Sequence, residues 1–451
     1  MTTTFKLLRL ALVAVAVALD GCSFDIANPN TPDAIGTDPS RSEVAATANG
    51  ILIATRADVA DWALKGGILG REAYRFDQSD PRFTAELMHG PLDPGSRAFG
   101  GNHWAEEYTA IRTANDLLAV ITTASALSAE EQSATTGFAH TMQAYNFLIV
   151  LDAHSQDSIP IDVGTDVNAP PAPFVTNAAA YDHVIALLDG AVTELQAGGA
   201  AFPFPLPSGF TGFNTPASYI LFNRALRARV AVYRGDFAGA LTALSQSFVD
   251  SLQPFSLGVY MDYSAGTGDF ANPLNLDPVS GENVAHPSLG AKVQLQPGGA
   301  PDARFTSKVT TLPGARSADN LSTTLGWIRY TSPSAPIPLI KNEELLLLRA
   351  EANIGLNDLA TALIDINEVR TKSGGLAPAA PFADQTAAIT ELLYNKRYSL
   401  LYEGGHSWVD YRRYGRTADL VGNPAVDGYD RPGDVIFPTL PIPNAEVQAH
   451  Q

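Results

Sequence analysis

The sequence predicts a mainly α-helical fold in which helices are joined in pairs and long irregular loops connect them. Three observations support this prediction: an internal repeat with helical spacing of apolar residues, several helix-capping signals, and a composition able to bury a large core. Of the 451 residues, 45% are hydrophobic and 17% are charged, which excludes an intrinsically disordered chain.

The internal repeat consists of residues 226–241 and 348–363, which align without a gap. The second half of each copy has apolar residues at positions i, i+3, i+4 and i+7 of one helix face: Phe237, Ala240, Leu241 and Leu244, then Leu359, Ala362, Leu363 and Ile366. The halves are separated by Gly235-Asp236 and by Leu356-Asn357-Asp358, where Asp or Asn can cap the next helix. Two helices joined by a short turn, with alanines where they cross, form a unit of the tetratricopeptide type.

Capping signals and apolar spacing predict further helices. Ser128 and Glu131 have the spacing of a capping box, which opens a helix through Tyr145. The other predicted helices run from Ser42 towards Trp62, from Trp104 to Leu118, from Tyr181 to Leu195 and from Thr386 to Leu401. Residues 252–338 contain Gly, Pro, Asp and scattered aromatics with little periodicity. Because so long a structureless loop is uncommon unless it is functional, we expect ligand contacts in this irregular part.

The first 21 residues have the features of a signal peptide. Lys6 and Arg9 form a short basic region that precedes the apolar stretch Leu10–Leu19. This stretch is too short to span a bilayer as a helix, since about 20 residues are needed. We therefore exclude residues 1–21 from the predicted fold.

The single cysteine, Cys22, directly follows this segment. Leu19-Asp20-Gly21-Cys22 resembles the lipobox of bacterial lipoproteins, in which the cysteine is lipidated and becomes the new N-terminus. The sequence thus predicts a lipoprotein signal peptide at 1–21, lipidation of Cys22, and an extended tether at 22–41 that is rich in Asn, Pro and Thr. The alternative is an ordinary secretory signal with a chance cysteine.

The charge balance and the motifs disfavour several functions. Lys and Arg total 29 against 47 Asp and Glu, a net charge of −18 without a long basic stripe, so nucleic acid is not an expected partner. The sequence contains no G-x-S-x-G, H-E-x-x-H, P-loop or EF-hand motif. We therefore predict that the protein is not an enzyme and assign no catalytic residue, cofactor or metal ligand, while calcium binding is left open.

A charged motif near the C-terminus has a structural and a catalytic interpretation. It contains Lys396, Arg397, Glu403, Asp410, Arg412 and Arg413, with His406 and Trp408 among them. Arginines and carboxylates between helices form ion pairs that fix helix orientation, so we favour the structural interpretation. An Arg412→Ala change should then lower stability without abolishing ligand binding selectively.

Segments spread over the whole chain resemble, in their order, the SusD/RagB family. They are Asn28-Pro29-Asn30-Thr31-Pro32 after the lipoprotein start; Trp104, Tyr108, Ile111, Ala114 and Asn115; the Tyr145 helix ending in Ser158-Ile159-Pro160; Pro336-Ile337-Pro338-Leu339-Ile340 running into Glu344 and Leu348-Arg349-Ala350-Glu351-Ala352; Asn395-Lys396-Arg397-Tyr398 through Glu403-Gly404-Gly405-His406-Ser407-Trp408 to Arg413; and Leu440-Pro441-Ile442-Pro443-Asn444 to Val447. The resemblance implies a SusD-like helical fold with four tetratricopeptide-like helix pairs, long irregular loops and a few short strands. It implies a single domain over residues 42–451.

The same resemblance implies a function. Members of the family are lipid-anchored at the outer membrane, face the exterior and deliver a nutrient to a SusC-like TonB-dependent transporter. The nutrient expected here is an oligosaccharide or other glycan, or a peptide, and no catalytic activity is implied. The alternatives are a tetratricopeptide-type lipoprotein adaptor that binds only proteins, and a lipid-anchored hydrolase, which the missing motifs disfavour.

Candidate ligand-binding residues are aromatic, basic and amide side chains, because aromatic rings take the apolar face of a sugar and polar groups take its hydroxyl edge. The residues chosen are Arg71, Tyr74, Arg75, Phe76, Asp77, Asn102, Trp104, Trp327 and Tyr330. The first five lie in one segment, residues 70–82, and the last two lie in the irregular part. The alternatives are a connecting loop with surface ion pairs for the first group, a core position for Trp104, and loop-anchoring side chains for Trp327 and Tyr330.

Overall fold

Helices form most of the regular structure, as the sequence predicts. A computed structural model describes residues 35–95, 102–155, 158–166, 168–421 and 429–451, with the backbone alone of Asn102. The predicted signal peptide, the lipidation site Cys22 and most of the predicted tether lie outside the described residues. The described chain from Thr37 onward clusters into one compact unit.

The helices vary in length from one turn to about eight turns. In chain order they are α1 (Arg41–Leu69), α2 (Arg82–Met88), α3 (Asn102–Val120), α4 (Ala129–Ala153), α5 (Asn177–Gln196), α6 (Pro216–Arg234), α7 (Phe237–Ser245), α8 (Ser288–Ala291), α9 (Ala303–Thr306), α10 (Asn342–Gly355), α11 (Leu359–Lys372), α12 (Gln385–Ser399), α13 (His406–Arg413) and α14 (Asn444–Ala449). Ser128 caps α4 in the predicted capping box with Glu131. Ser40, and not the predicted Ser42, caps α1, because Ser40 and Glu43 form a second capping box.

The strands are short and antiparallel. They are β1 (Ala73–Arg75), β2 (Ile159–Pro160), β3 (Phe174–Val175), β4 (Gly258–Met261), β5 (Asn283–Ala285), β6 (Val309–Ala318), β7 (Leu321–Trp327) and β8 (Ile337–Lys341). One sheet has the order β1-β5-β7-β6, while β2 pairs with β3 and β4 pairs with β8. The predicted combination of a mainly α-helical fold with a few short strands is confirmed.

The internal repeat folds as predicted into two helix–turn–helix units, α6–α7 and α10–α11. Gly235 (φ 74°) and Asn357 (φ 61°) occupy equivalent positions in the two turns, and both have a left-handed backbone conformation. The next residue in each copy, Asp236 or Asp358, caps the following helix by accepting a backbone N–H bond from Gly239 or Thr361. Glycine and asparagine tolerate this backbone conformation better than other residues, which explains their equivalent positions.

The helices pack side by side, α1 with α3, α4 with α5, α6 with α7 and α10 with α11. Close approach also joins distant parts of the chain. A side chain at Gly66 of α1 would place its Cβ 2.5 Å from the Cα of Gly405, just before α13. The backbones of α1 and the α13 turn therefore touch without side chains between them.

The prediction of irregular structure over residues 252–338 is wrong for residues 309–327. There β6 and β7 form a hairpin whose turn residues, Asp319 (φ 50°) and Asn320 (φ 60°), are both left-handed. Burial alternates along the first part of β7, with Leu321 and Thr323 buried and Ser322 and Thr324 exposed. Pro313-Gly314 interrupts the same pattern in β6, where the register shifts between Thr311 and Arg316.

Candidate functional site

A cleft of about 880 Å³ lies between the first half of α3, the segment from Pro160 to Pro173, and α14. Its aromatic and charged lining residues are Trp104, Tyr108, Arg112, Asp162, Asp166, Glu446 and His450. Prolines and small residues complete the walls: Pro94, Gly95, Ala105, Thr109, Pro160, Val163, Gly164, Ala169, Pro170, Pro171, Ala172, Pro173, Pro443, Asn444 and Ala445. The volume lies in the range of about 300–1,000 Å³ that is usual for pockets binding small molecules.

The aromatic wall of the cleft is built on α3. Trp104 and Tyr108 are one helical turn apart, and their ring centroids are 5.0 Å from each other. Behind the wall, the Trp104 ring meets His154 edge-on at 5.2 Å and approaches Phe174 at 6.2 Å. Trp104 itself is 3% exposed, so Tyr108, which is half-buried, offers the more accessible ring.

Three side chains of α3 hold the opposite wall in place. The Tyr108 hydroxyl donates to the Pro160 carbonyl (2.7 Å), Arg112 Nη2 donates to the Thr165 carbonyl (2.5 Å), and Asn115 Nδ2 donates to the Val163 carbonyl (2.7 Å). Every acceptor in this set is a main-chain oxygen. The path of the wall is thus fixed by α3, while the side chains of Asp162 and Asp166 remain exposed to solvent.

His450 joins α14 to the proline-rich part of the wall. Its Nδ1 lies 2.7 Å from the Glu446 carbonyl and its Nε2 lies 2.8 Å from the Ala172 carbonyl. Because both partners are acceptors, both ring nitrogens must carry a proton to make the two bonds. The backbone carbonyls of Ala172 and Glu446 accordingly raise the pKa of His450.

The lining is acidic on balance. Asp162, Asp166 and Glu446 contribute carboxylates, whereas Arg112 is the one arginine among the described lining residues. Burial, with a further contribution from the Glu446 carboxylate, raises the pKa of Tyr108 well above its usual range. Tyr108 is therefore a neutral phenol that keeps its proton for the bond to Pro160.

None of the five candidates from residues 70–82 lines the cleft. Arg71 is fully buried, and its Nε donates to Asp430 Oδ2 at 2.9 Å. Tyr74 is also fully buried and donates to the Tyr429 carbonyl, with Phe76 stacked on its ring. The hydrogen bonds of Arg71 and Tyr74 therefore hold β1 against the segment that contains Tyr429 and Asp430.

The remaining candidates of this segment form local ion pairs. Arg75 Nη2 lies 3.0 Å from Asp77 and 2.9 Å from Glu282, and its guanidinium covers the Phe83 ring at 4.5 Å. Hydrogen bonds led by that from the Ser79 side chain lower the pKa of Asp77 to about 2. Arg75 and Asp77 are thus partly buried at the end of β1 and just after it, apart from the cleft lining.

The candidates from the irregular part are packed inside the protein. The Trp327 ring stacks on Tyr402 with a centroid distance of 4.2 Å and an interplanar angle of 7°. The Tyr330 hydroxyl donates to the Tyr402 carbonyl at 2.9 Å. The side chain of Asn102 lies outside the described residues, so of the nine candidates Trp104 is the one described in the cleft lining.

Sequence reasoning missed Tyr108 and Arg112 as lining residues, although a signal was present. Trp104, Tyr108 and Arg112 follow one another at i, i+4 and i+8, so they share one helix face. The proline-rich run from Ala169 to Pro173 cannot form a helix, which indicates that this wall of the cleft is a loop. The contribution of α14 had no local signal in the sequence.

The charged C-terminal motif forms buried ion pairs, as the structural interpretation predicts. Glu403 Oε1 accepts from Lys308 (3.1 Å), Arg329 (3.1 Å) and Lys341 (3.0 Å). Burial opposes ionisation of Glu403, but these three cations outweigh it and hold its pKa far below the usual range. Arg412 lies 3.5 Å above the Trp408 ring.

The paired helices and the small antiparallel sheet define a helical protein of the SusD-like fold, which solved structures share. A SusD-like carbohydrate-binding protein of Bacteroides fragilis is 16% identical, with a TM-score of 0.71 over 91% of this chain and 98% of that one. Surface glycan-binding protein A of Bacteroides fluxus is 16% identical, with a TM-score of 0.67 over 91% and 96%. A laminarin-binding SusD-like protein is 16% identical, with a TM-score of 0.63 over 91% and 98%.

Sequence comparison agrees with the structural comparison. Residues 291–436 match the model of the SusD family, which confirms the resemblance predicted from the sequence. No curated protein sequence matches the chain. Within the described residues, no helix is both long and apolar enough to cross a membrane.

Proposed function

We propose that the protein is a surface lipoprotein that binds a carbohydrate in the cleft and delivers it to a SusC-like TonB-dependent transporter. The observation that carries the proposal is the cleft itself, with an aromatic wall facing an exposed polar rim. A sugar ring lies with its C–H face on an aromatic side chain and turns its hydroxyl groups towards carboxylates, amides and arginine. Tyr108, Arg112 and the carboxylates of Asp162 and Asp166 provide these groups.

The similar structures support the ligand class. Among them are a laminarin-binding protein and a surface glycan-binding protein. We infer that the ligand here is likewise a glycan, bound without turnover, and that Cys22 anchors the protein at the outer membrane facing the exterior. A peptide nutrient is the alternative ligand within the same proposal.

The second candidate function is a tetratricopeptide-type adaptor that binds only proteins. The units α6–α7 and α10–α11 favour it, since stacked units of this kind often bind peptides. The cleft favours the first candidate, because its walls enclose a volume suited to a small ligand.

The test is calorimetric titration of the chain that starts at residue 23 with a panel of oligosaccharides and peptides. We expect saturable binding of one glycan class, weakened at least about tenfold by Arg112→Ala, a loss of about 1.4 kcal/mol. Arg82→Ala is the matched control, because Arg82 is an exposed arginine paired with Asp80 and does not line the cleft. Equal effects of the two variants would overturn the assignment of the cleft, and binding of peptides or proteins alone would favour the adaptor.

A further inference from the structure

A buried group of ionisable side chains lies between α1 and α3, on the side of α3 away from the cleft. Asp58 and Asp61 come from α1, and His103 and Glu107 come from α3. The members are spaced i, i+3 on one helix and i, i+4 on the other, so each pair projects from one face of its helix. The two helices pack against each other along their length, which brings the pairs together.

The potential ligand atoms of three of these residues are close to one another. One oxygen of Asp58, one oxygen of Asp61 and one ring nitrogen of His103 all lie within 4.8 Å of each other. Two donors on opposite sides of a cation at about 2.1–2.4 Å are separated by a similar distance, so the three atoms are able to share one cation. Within the described residues, no other group of His, Cys, Asp and Glu side chains meets this criterion.

The group has unused bonding capacity. Glu107 is 2% exposed, its carboxyl lies against that of Asp58, and its Oε2 has no hydrogen-bond partner in the described part of the chain. His103 is fully buried, and while its Nδ1 lies 2.6 Å from Asp58 Oδ2, its Nε2 has no such partner either. Buried polar atoms without partners are costly, and an absent ion is one explanation for them.

The charges point in the same direction. Asp58 and Glu107 contribute carboxyl groups that lie against each other, and Asp61 contributes a third, which pairs with Lys65. A buried excess of negative charge is unfavourable unless a further cation or protons compensate it. Asp61 is 26% exposed on its side chain, which leaves a path from solvent to the group.

We propose that Asp58, Asp61 and His103 bind a divalent transition-metal cation, with Glu107 as the neighbouring carboxylate that balances its charge. A mixed set of imidazole nitrogen and carboxylate oxygen suits zinc or manganese better than calcium, which takes oxygen ligands. The ion would join α1 to α3. This inference is independent of the carbohydrate proposal, because none of these residues lines the cleft.

The test is titration of the chelator-treated protein with Zn²⁺ and with Co²⁺. Binding is monitored by calorimetry and by tryptophan fluorescence. The Trp62 ring lies 5.1 Å from the His103 ring, so Co²⁺ in this site should quench Trp62 emission. We expect one saturable site per chain and a higher melting temperature with Zn²⁺. Asp58→Asn and His103→Gln should each weaken binding at least about tenfold.

The matched control is His140→Gln. His140 pairs with Glu194 at 2.8 Å in a partly exposed position but has no third ligand residue, so its replacement should leave binding unchanged. Lys65→Met should tighten Zn²⁺ binding, because it removes the cation that competes for Asp61. If Asp58→Asn does not fold, the partly exposed Asp61→Asn provides the same readout. Absence of saturable binding, or binding that survives Asp58→Asn or Asp61→Asn and His103→Gln, would overturn the proposal.

Discussion

Residues 291–436 and the walls of the cleft differ in what their charged side chains contact. In the first region, which matches the SusD family, Glu351 lies 2.9 Å from both Lys396 and Arg413, and all of these side chains are largely buried. In the second region, Asp162 and Asp166 face solvent. The cleft lining comes from residues 94–112, 160–173 and 443–450, entirely outside the family match.

The part of the molecule that matches the SusD family is thus separate from the part that lines the cleft. Buried ion pairs are costly to break, so the side chains that form them constrain one another. Exposed rim residues carry no such constraint and are free to suit a ligand. Variants of the two regions should therefore separate loss of stability from loss of binding.

The largest effect is expected from Glu403→Gln. The change leaves the cations of Lys308, Arg329 and Lys341 buried without their common carboxylate, which should lower the free energy of unfolding by about 3–5 kcal/mol. Urea unfolding measures this loss. In Glu368→Gln, which breaks the exposed pair with Lys372, we expect a change below about 1 kcal/mol. Similar losses in both variants would show that burial does not decide the cost of breaking an ion pair in this region.

The next effect depends on pH. Burial raises the pKa of Glu72 to about 7, against bonds from Ser407 and Tyr402 that favour its ionised form. The folded state then binds this proton more tightly than the unfolded state. The contribution of Glu72 to the free energy of unfolding therefore falls by about 3 kcal/mol as the pH rises from about 4.5 to about 7.

Glu72→Gln should remove this dependence, and the measured quantity is the difference in unfolding free energy between wild type and variant at each pH. The comparison is needed because burial lowers the pKa of His154 to about 3 and that of His286 to about 4. Those neutral imidazoles make stability rise with pH below about 6.5, which offsets the effect of Glu72 in wild type. A difference that stays constant from pH 5 to pH 8 would show that Glu72 is ionised throughout.

Arg412→Ala should lower stability by about 2–3 kcal/mol and leave ligand affinity intact. The guanidinium stacks on Trp408 and donates to the carbonyls of Asp152 and Pro438, which would lose their partner. Thermal unfolding and calorimetric titration of the same sample check both statements. Normal melting with lost binding would assign Arg412 to the ligand site instead.

The smallest effect on stability is expected at the cleft, in His450→Gln. A glutamine cannot donate to the Glu446 and Ala172 carbonyls with the same geometry, so α14 should loosen and ligand affinity should fall several-fold. The contribution of wild-type His450 is present below its unfolded pKa and is lost as pH rises through the raised folded value. Affinity that is equal in wild type and variant at pH 6 and at pH 8 would contradict this role.

Local signals made much of the fold predictable. The Asp236 and Asp358 caps, the Ser128 capping box and the two helix pairs of the repeat depend on residues a few positions apart. The hairpin β6–β7 also had a local signal in Asp319-Asn320, but the Pro313-Gly314 bulge hid the alternation. Helices began one to four residues before their predicted starts, as where Ser40 caps α1 and Thr176 caps α5.

The cleft was not predictable, because distant contacts decide which polar side chains are buried. Arg71 and Tyr74 are residue types common in sugar-binding sites. Here, however, they donate to the Asp430 carboxylate and the Tyr429 carbonyl from the far end of the chain. Trp327 is covered in the same way by Tyr402. Trp104 lines the cleft, but nothing near it in sequence indicates that α14 completes its surroundings.

The bonds from Tyr108, Arg112 and Asn115 to main-chain oxygens have an evolutionary consequence. A peptide carbonyl is present whatever residue occupies the position, so substitutions between Pro160 and Pro173 preserve these three anchors. Mutations can then change the exposed side chains of the cleft without altering the path of its wall. Homologues could therefore retain α3 and vary the facing segment, and under the proposed function such variation would change which ligand the cleft accepts.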